Sequence, residues 1–564
     1  MKIIVKYIFL AWSFFVFTNA QENQYHAKNG MVVSASQLAS QVGVDVMKSG
    51  GNAVDAAVAT GFALAVTYPQ AGNIGGGGFL VAHLADGRDI TIDFRETAPS
   101  IASRDMYLDD NSTVIEDMSL YTHRAVGVPG SVAGLLTAWR YYGSGEISLK
   151  QLIKPVIVLA KNGFVISDKF AQSLNNSKSL FEKDNGASEI FIRADENLWQ
   201  GGDLLIQADL AKTLQRIAKY DLNGFYGGKT AEFIVNEMER GKGLISKQDL
   251  ISYSPKLRAP ITGIYEDYEI VSMGPPSSGG ILLVQLLNML DNFNIDSLNF
   301  NSAAYIHLLT EIERLAYADR AEHLGDSDYW KVPNDMLTSK EYAKSRVESI
   351  SLQIATPSDN VFAGEPLAYE SRETTHYSVI DKEGNAVCVT TTLNTSFGSG
   401  IFVDGAGFLL NNEMDDFSIK PGTPNIYGLV GSSANAIYPN KRPLSSMTPT
   451  IVLKDNKPFI IIGSSGGSTI ITTVLQVILN VIEHDMTIAE AVAAPRFHSQ
   501  WLPDVIMTEP DAVSDLVRMN LESRGHKIIP YKYGTIGSAN GILIDKNGYH
   551  GGADSRLENV AIGY

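Results

Sequence analysis

The feature that most constrains this chain is a threonine at the head of a predicted strand, about two thirds of the way along the sequence. Residues 373–381 read Glu-Thr-Thr-His-Tyr-Ser-Val-Ile-Asp, so Thr374 begins a strand pattern. A threonine hydroxyl is a poor nucleophile unless a base is held beside it. One way to supply that base is to cleave the chain before Thr374, because the freed α-amine, with a pKa of about 8, suits general-base catalysis.

The residues after Thr374 predict a β-hairpin. Strand patterns lie on both sides of residues 382–385, Lys-Glu-Gly-Asn, which form the loop. If these four residues are the loop, paired positions sum to 767 (381 + 386), so Thr375 faces Thr392 and Thr374 lies beside it. Two hydroxyls eighteen residues apart therefore meet at the open end of the hairpin, within a register error of one or two residues.

The first twenty residues are typical of a cleavable signal peptide. Lys2 and Lys6 precede an apolar core over residues 7–17, and small residues lead to a cut after Ala20. The core is too short for a typical membrane span. We therefore expect an exported protein with no stable membrane anchor; an uncleaved anchor is the alternative.

Composition excludes several classes of partner. The formal net charge is −17, or −19 once Lys2 and Lys6 are removed, which argues against nucleic acid and anionic membranes. The 544 remaining residues (564 − 20), in a chain that is 45% hydrophobic, are enough for a large core. Cys388 is the only cysteine, so the chain forms no internal disulfide. Its mid-strand position predicts a small buried residue, not a catalytic thiol.

The rest of the pattern predicts a mixed fold. Asn52 caps an almost wholly apolar helix over 53–66, and residues 305–318 form an amphipathic helix. A second hairpin spans 450–462, turning at Asp455-Asn456. Sheets covered by helices, either α+β or layered α/β, are the expected architecture.

Residues 463–467, Gly-Ser-Ser-Gly-Gly, lie between a strand and a helix and allow three interpretations. As a G-x-S-x-G elbow the loop would make Ser465 a nucleophile, with partners such as Asp504 and His526. As an anion site, its glycine N–H groups would stabilise an oxyanion. The third interpretation is tight packing. For the glycine run at 75–78, tight packing or the lining of a site is favoured over phosphate binding.

Three other features carry polar chemistry. Arg95 closes a strand-like segment and fits either a carboxylate clamp or a surface ion pair. Residues 411–417 combine acids and amides, as a calcium site, an ammonium site or a polar loop would. His376 lies on an alternating strand, which favours packing. No common metal-ligand spacing is present, and we expect no metal or other cofactor.

Taken in order, these segments resemble the γ-glutamyltranspeptidases from about residue 30 to the end of the sequence. The most specific segments are 374–378, 393–398, 411–417, 442–447 and 465–468. The resemblance implies an N-terminal nucleophile hydrolase fold, α+β, in which two stacked sheets lie between helical layers (an αββα sandwich). It also implies a precursor that cleaves itself into two subunits.

By this resemblance, cleavage falls between Glu373 and Thr374. The signal peptide would be 1–20, the large subunit 21–373 and the small subunit 374–564, the two subunits staying together as a heterodimer. Thr374 would attack a γ-glutamyl amide, Thr392 would orient its hydroxyl, and the N–H groups of Gly466 and Gly467 would hold the oxyanion.

The resemblance also assigns the substrate contacts. The donor's α-carboxylate would be bound by Arg95, Ser445 and Ser446. Its α-ammonium would be bound by Asn394, Glu413 and Asp416; some bacterial relatives carry glutamine at the position of Glu413. Residues 420–430 resemble a lid loop with Tyr427 as its gate. This lid favours small donors such as glutathione. The acceptors would be water, amino acids or dipeptides. We expect the protein to act in the periplasm, with secretion to the medium as the alternative.

Two other hypotheses follow from the residues alone. One is a different hydrolase that uses Ser465. The other is a non-enzymatic solute-binding protein whose glycine loops cradle the ligand.

Overall fold

The computed structural model describes residues 24–195, 197–361, 374–420 and 422–564. The predicted signal peptide and Glu373, the residue before the predicted cleavage point, lie outside the described residues.

Nineteen strands are present in the described ranges, and most belong to two antiparallel seven-stranded sheets. In chain order the strands are β1 (Gln24–Ala27), β2 (Gly30–Ser34), β3 (Gly77–His83), β4 (Asp89–Asp93), β5 (Phe164–Val165), β6 (Leu204–Leu205), β7 (Lys256–Arg258), β8 (Ile261–Tyr265), β9 (Tyr268–Ser272), β10 (Thr374–Asp381), β11 (Ala386–Thr392), β12 (Thr450–Lys454), β13 (Lys457–Ser465), β14 (Phe497–His498), β15 (Ile506–Thr508), β16 (Ile528–Pro530), β17 (Ser538–Asp545), β18 (Gly548–Ala553) and β19 (Val560–Gly563). The first sheet has the order β1-β18-β17-β13-β12-β9-β8, and the second has the order β19-β2-β10-β11-β3-β4-β7.

The same ranges contain seventeen α-helices. They are α1 (Gln37–Lys48), α2 (Ala53–Thr67), α3 (Ser131–Tyr142), α4 (Leu149–Asn162), α5 (Asp168–Asn176), α6 (Lys178–Phe181), α7 (Asn185–Phe191), α8 (Ala208–Tyr220), α9 (Gly228–Gly241), α10 (Lys247–Ser252), α11 (Gly279–Leu290), α12 (Ala303–His323), α13 (Asn334–Leu337), α14 (Lys340–Val347), α15 (Ile470–Ile482), α16 (Ile488–Ala493) and α17 (Asp515–Ser523). None of the helices in the described part of the chain combines the length and apolar character that crossing a bilayer requires.

The strands of the second sheet contribute to two cores, because successive side chains point to opposite faces. Val379 and Val387 pack in the core under α1 and α2, whereas Ile380 and Cys388 pack in a second core with Ile461 of the first sheet. Helices α11, α15 and α16 cover the other face of the first sheet. The predicted αββα sandwich is thus confirmed. Cys388 is fully buried, and burial raises the pKa of its thiol.

The predicted hairpin is present, but its register differs by one residue from the predicted one. Thr374, not Thr375, pairs with Thr392, so paired positions sum to 766. The loop is one residue longer than predicted because the Asp381 side chain organises it. The Asp381 carboxylate accepts a hydrogen bond from the backbone N–H of Asn385 at 2.9 Å, which draws Asp381 into the turn. The second predicted hairpin, β12–β13, is confirmed with its turn in place.

Two predicted helices illustrate different outcomes. The side chain of Asn52 accepts a hydrogen bond from the N–H of Asp55 at 3.0 Å, and α2 begins there as predicted. Helix α12, in contrast, is not amphipathic: every residue from Tyr305 to Ala321 is buried. Its charged residues bind partners inside the protein, as Arg314 does with the buried hydroxyl of Ser358.

The candidate catalytic and binding residues lie at one edge of the sandwich. In antiparallel sheets, the start of one strand lies beside the end of its neighbour. Thr374 begins β10 and Thr392 ends β11, while Arg95 follows the end of β4 by two residues. In the first sheet, Ser446 precedes β12 and Gly466 follows β13 at the corresponding edge.

We expect Asp381→Ala to destabilise the fold, because Asp381 connects the hairpin to the start of α2. Its carboxylate also accepts a hydrogen bond from the N–H of Ala53 at 2.8 Å, and Asp381 is buried. Losing these acceptors should lower the free energy of unfolding by about 1–3 kcal/mol. Denaturant unfolding measures the change, with exposed Lys382→Ala as the matched control. A loss below about 0.5 kcal/mol in Asp381→Ala would contradict this role for the carboxylate.

Candidate active site

The strand ends described above enclose one pocket. It is lined by Arg95, Arg320, Thr374, Thr392, Asn394, Glu413, Asp416, Tyr427, Leu429, Ser445, Ser446, Met447, Gly467 and Ile470. Except for Gly466, which is adjacent, and Glu373, every site residue expected from the sequence lies on this pocket. Arg320 and the apolar residues were not expected there.

Thr374 and Thr392 form the floor of the pocket on the second sheet. Their hydroxyl oxygens lie 3.5 Å apart, and both residues are buried. The Thr392 hydroxyl is itself fixed, because it accepts a hydrogen bond from the N–H of Asn394 at 2.8 Å. The backbone at position 76 packs so closely against Thr392 that only glycine fits there. A Cβ at Gly76 would lie 2.1 Å from the Thr392 carbonyl oxygen. The glycine run therefore packs under the site, as preferred above.

The glycine loop after β13 forms the opposite wall. Gly466 has φ 131° and Gly467 has φ 55°, conformations that suit glycine, and a 3₁₀ turn over Gly467–Thr469 leads into α15. Two successive amides thus lie at the start of a buried helix, where backbone N–H groups favour negative charge. This geometry suits an oxyanion site within reach of the pocket.

The Ser465 nucleophile hypothesis is not supported by the neighbours of Ser465. Among the described residues no histidine side chain hydrogen-bonds to Ser465. His526 instead lies 2.7 Å from the ring nitrogen of His307, and Asp504 pairs with Arg314. Without a base, a serine hydroxyl is a weak nucleophile.

His376 packs between the sheets, as the alternation indicated. Its ring nitrogens lie 2.8 Å from the Thr390 hydroxyl and 3.1 Å from the Ser378 hydroxyl. Burial lowers its pKa to about 3, so the ring stays neutral.

Arg95 is the central cation of the pocket and is completely buried. Its guanidinium forms ion pairs with Glu413 and Asp416. It also donates hydrogen bonds to the carbonyl oxygens of Pro443 at 3.3 Å and Leu444 at 3.2 Å. The sequence assigned the cation and the two acids to opposite ends of a zwitterion, whereas the structure places them in direct contact.

Two acceptors in the pocket have no hydrogen-bond partner among the described residues. They are the side-chain oxygen Oδ1 of Asn394 and the carboxylate oxygen Oε2 of Glu413, both buried. Buried acceptors without partners are costly in a folded protein. An ammonium group carries three donors and a positive charge, so it would satisfy both atoms at once.

Burial governs the acidity of the pocket. It raises the pKa of Glu413 well above its ordinary value and also raises that of Asp416, while Arg95 acts against both shifts. Behind Arg95, at 3.7 Å, lies Glu96, whose pKa burial raises to about 7 in spite of Arg95. One guanidinium thus interacts with three carboxyl groups, and protonation within this group of acids relieves their mutual repulsion.

Ser445 and Ser446 line the pocket, and a second arginine accompanies them. Arg320 of α12 donates hydrogen bonds to the hydroxyls of Ser446 at 3.2 Å and Ser278 at 3.0 Å. The sequence offered no signal for Arg320, because a charged residue in a helix is usually solvent-exposed. Only the packing of α12 brings it to the pocket.

The lid segment closes over the glycine loop. The Tyr427 hydroxyl donates a hydrogen bond to the carbonyl oxygen of Asn394. Its ring covers Gly467, where an added Cβ would lie 2.4 Å from the ring. The preceding Asn425 donates a hydrogen bond to Asp416 at 2.9 Å, so the lid is tied to the ionic cluster.

The comparisons with known proteins agree with this geometry. A family model described as Gamma-glutamyltranspeptidase matches residues 39–564. The chain belongs to the γ-glutamyltranspeptidase family. A curated relative named Glutathione hydrolase proenzyme, from Escherichia coli (strain K12), is 48% identical, covering 96% of this chain and 94% of its own length.

Solved structures of this family and its neighbours are also similar. The Helicobacter pylori gamma-Glutamyltranspeptidase is 44% identical with a TM-score of 0.59, covering 60% of this chain and 97% of its own. The cephalosporin acylase from Bacillus halodurans has a TM-score of 0.84 and covers 99% of each chain. At 24% identity the acylase supports the fold alone. The fold is that of the N-terminal nucleophile hydrolases.

We expect Glu96 to make stability pH-dependent. Its pKa is about 7 in the folded protein against an ordinary value of 4.5, so the folded state holds the extra proton. Its burial therefore destabilises the fold progressively as pH rises from about 4.5 to 7. Glu96→Gln cannot ionise and should lose less stability over this range.

Thermal unfolding of wild type and Glu96→Gln at a series of pH values from 4.5 to 8 measures this effect. The melting temperature of the variant relative to wild type should rise with pH. A difference that is constant with pH, or that falls, would contradict the assignment of the proton to Glu96.

Proposed function

We propose that the protein is a glutathione hydrolase and γ-glutamyl transferase that works through a γ-glutamyl ester of Thr374. The observation that carries this proposal is the location of Thr374. It begins a strand in the same pocket as a buried arginine, the two acids paired with that arginine and a glycine at the start of a helix. The Escherichia coli relative is named a glutathione hydrolase proenzyme, which supports both the donor and a precursor.

In the mature enzyme, the Thr374 hydroxyl oxygen attacks the γ-carbonyl carbon of the donor, and the α-amine of Thr374 accepts its proton. The N–H groups of Gly466 and Gly467 stabilise the oxyanion. The same proton then passes to the leaving amine as the γ-carbon–nitrogen bond breaks. Water hydrolyses the resulting ester, or an amino acid or dipeptide takes its γ-glutamyl group.

The α-amine must first be released from the precursor. The Thr374 hydroxyl attacks the carbonyl carbon of Glu373, which replaces the peptide bond with an ester, and water then opens the ester. The large subunit 21–373 has 353 residues (373 − 20), or 63% of the 564 in the sequence. The solved Helicobacter pylori chain, which covers 60% of this chain, has a similar extent. The small subunit 374–564 would remain paired with it as a heterodimer.

The donor is fixed by its two charges. Asn394, Glu413 and Asp416 accept hydrogen bonds from its α-ammonium, and Arg95 with Ser445 and Ser446 binds its α-carboxylate. Bidentate pairing of an arginine with a carboxylate fixes direction as well as energy. Tyr427 and the lid restrict the pocket to small γ-glutamyl compounds. We further propose export through the signal peptide, most simply to the periplasm.

The first test is cleavage. Thr374→Ala should remain one uncut chain, because neither ester nor amine can form, and it should release no p-nitroaniline from γ-glutamyl-p-nitroanilide. Thr374→Ser retains a hydroxyl and should still be cut, more slowly. Denaturing gels show the fragments, and N-terminal sequencing of the smaller fragment should give Thr374 as its first residue. Wild-type assays with and without glycylglycine separate hydrolysis from transfer.

An active wild-type protein that stays uncut, or whose smaller fragment begins elsewhere, would refute this mechanism. Ser465→Ala is the companion variant, since it removes the hydroxyl of the competing elbow hypothesis and leaves Thr374 in place. Its loss of all turnover, with cleavage intact, would point to Ser465 as the nucleophile.

The second test concerns the ammonium site. Asp416→Asn should weaken competitive inhibition by L-glutamate by about 2 kcal/mol or more, or about thirtyfold, because a buried charge loses its partner. Glutarate has the same carboxylates but no ammonium, so its inhibition constant should change much less. Equal changes for both inhibitors would show that Asp416 does not select the ammonium.

A further inference from the structure

Arg320 lies on the pocket wall, and no carboxylate in the described part of the chain forms a direct ion pair with it. It is 4% exposed and belongs to α12, three residues after Tyr317, whose hydroxyl donates a hydrogen bond to the carbonyl oxygen of Ser468 at 2.6 Å. The helix is therefore fixed against the glycine loop. Residues three apart lie on the same face of a helix, so Arg320 is directed to the same region as Tyr317.

The contacts of Arg320 differ from those of Arg95. Its guanidinium donates to two serine hydroxyls, those of Ser278 and Ser446, and within the described ranges no acid forms an ion pair with it. Arg95, in contrast, forms ion pairs with both Glu413 and Asp416. The positive charge of Arg95 is thus compensated by direct ion pairs before any substrate binds, whereas Arg320 has serine hydroxyls in hydrogen-bond contact and interacts with Asp416 only at longer range.

A buried cation without an ionic partner is costly, and proteins keep such groups mainly where they act. Burial lowers the pKa of Arg320 to about 10, so the side chain still carries its charge at neutral pH. Its sign restricts the ligand: it repels an ammonium and attracts a carboxylate. Ser446, which it holds, is also a lining residue of the pocket.

We propose that Arg320 is a specificity-determining residue for the donor's α-carboxylate, which it favours by its charge and by orienting the Ser446 hydroxyl. The inference rests on the proposed function for the identity of the donor. Because Arg320 donates to the Ser446 oxygen, the Ser446 hydrogen is free to point into the pocket toward a carboxylate oxygen. The carboxylate is thereby bound between two arginines, one in direct ion pairs with acids and one without them.

Two matched inhibitors test the role of Arg320. L-Glutamate and 4-aminobutyrate share the ammonium and the γ-carboxylate, and only glutamate has the α-carboxylate. In Arg320→Gln the inhibition constant of glutamate should rise at least tenfold, while that of 4-aminobutyrate changes less than about twofold. The KM for γ-glutamyl-p-nitroanilide should rise, whereas kcat should stay within about threefold of the wild-type value. Arg320→Lys should bind glutamate better than Arg320→Gln but less well than wild type, because lysine keeps the positive charge and lacks the paired N–H donors of the planar guanidinium.

Arg320→Met fills the same space without burying a new polar group, and it provides the measurement if Arg320→Gln does not fold. Arg314→Gln is the matched control: Arg314 is a buried arginine of the same helix, paired with Glu311 and Asp504 away from the pocket. It should lower stability and leave the ratio of the two inhibition constants unchanged. An unchanged ratio in the Arg320 variants, or equal losses for both ligands, would overturn the proposal.

Failure of the proposed function would be recognised separately. If wild type released no p-nitroaniline, the same pair of ligands would be compared by calorimetric titration. Preference for glutamate that disappears in Arg320→Gln and Arg320→Met would still support the carboxylate role. Equal binding of the two ligands by wild type would refute it.

Discussion

The antiparallel pairing of β10 with β11 determines where the chemistry of this protein takes place. It brings the start of one strand beside the end of the other, so that Thr374 meets Thr392 although eighteen residues separate them. Neighbouring strands then deliver Arg95, Ser446 and Gly466 to the same edge. Because the side chains of a strand alternate, a shift of one residue would turn Thr374 toward the other face. The hydrogen bonds of the Asp381 turn, at the far end of the hairpin, help to hold that register.

The ionic cluster around Arg95 is better explained by binding than by stability. Burying charges costs several kcal/mol for each ion, and good pairing often does no more than offset that cost. Here two arginines, Arg95 and Arg320, share a region with three acids, Glu96, Glu413 and Asp416. With one proton shared among these three acids the positive and negative charges are equal. A zwitterion adds one charge of each sign and keeps the balance, whereas a singly charged ligand would upset it.

The hairpins and the capped helix could be predicted from the residues themselves, because strand alternation, turn residues and capping residues are local signals. Most of the pocket was expected from the family resemblance instead. The register of β10–β11 differs by one residue from the predicted one, which is within the error given for it, since the role of Asp381 in the turn depends on its side-chain contacts. Helix α12 was predicted to have a solvent-exposed face. Its charged residues, including Arg314, instead find partners inside the protein, and such partners come from distant parts of the chain. Arg320 was missed for the same reason.

The glycine loop shows how far a local motif can be interpreted. Residues 463–467 fit a serine elbow and an oxyanion site equally well in sequence, because both need a tight turn between a strand and a helix. The serine elbow and the oxyanion site differ only in which residues lie across from the loop. A serine nucleophile needs a base, and His526 is bound to His307 instead. An oxyanion site needs a nucleophile on the facing wall, and Thr374 lines the same pocket as Gly467. The distinction is therefore made by the second sheet, which contributes nothing to the motif itself.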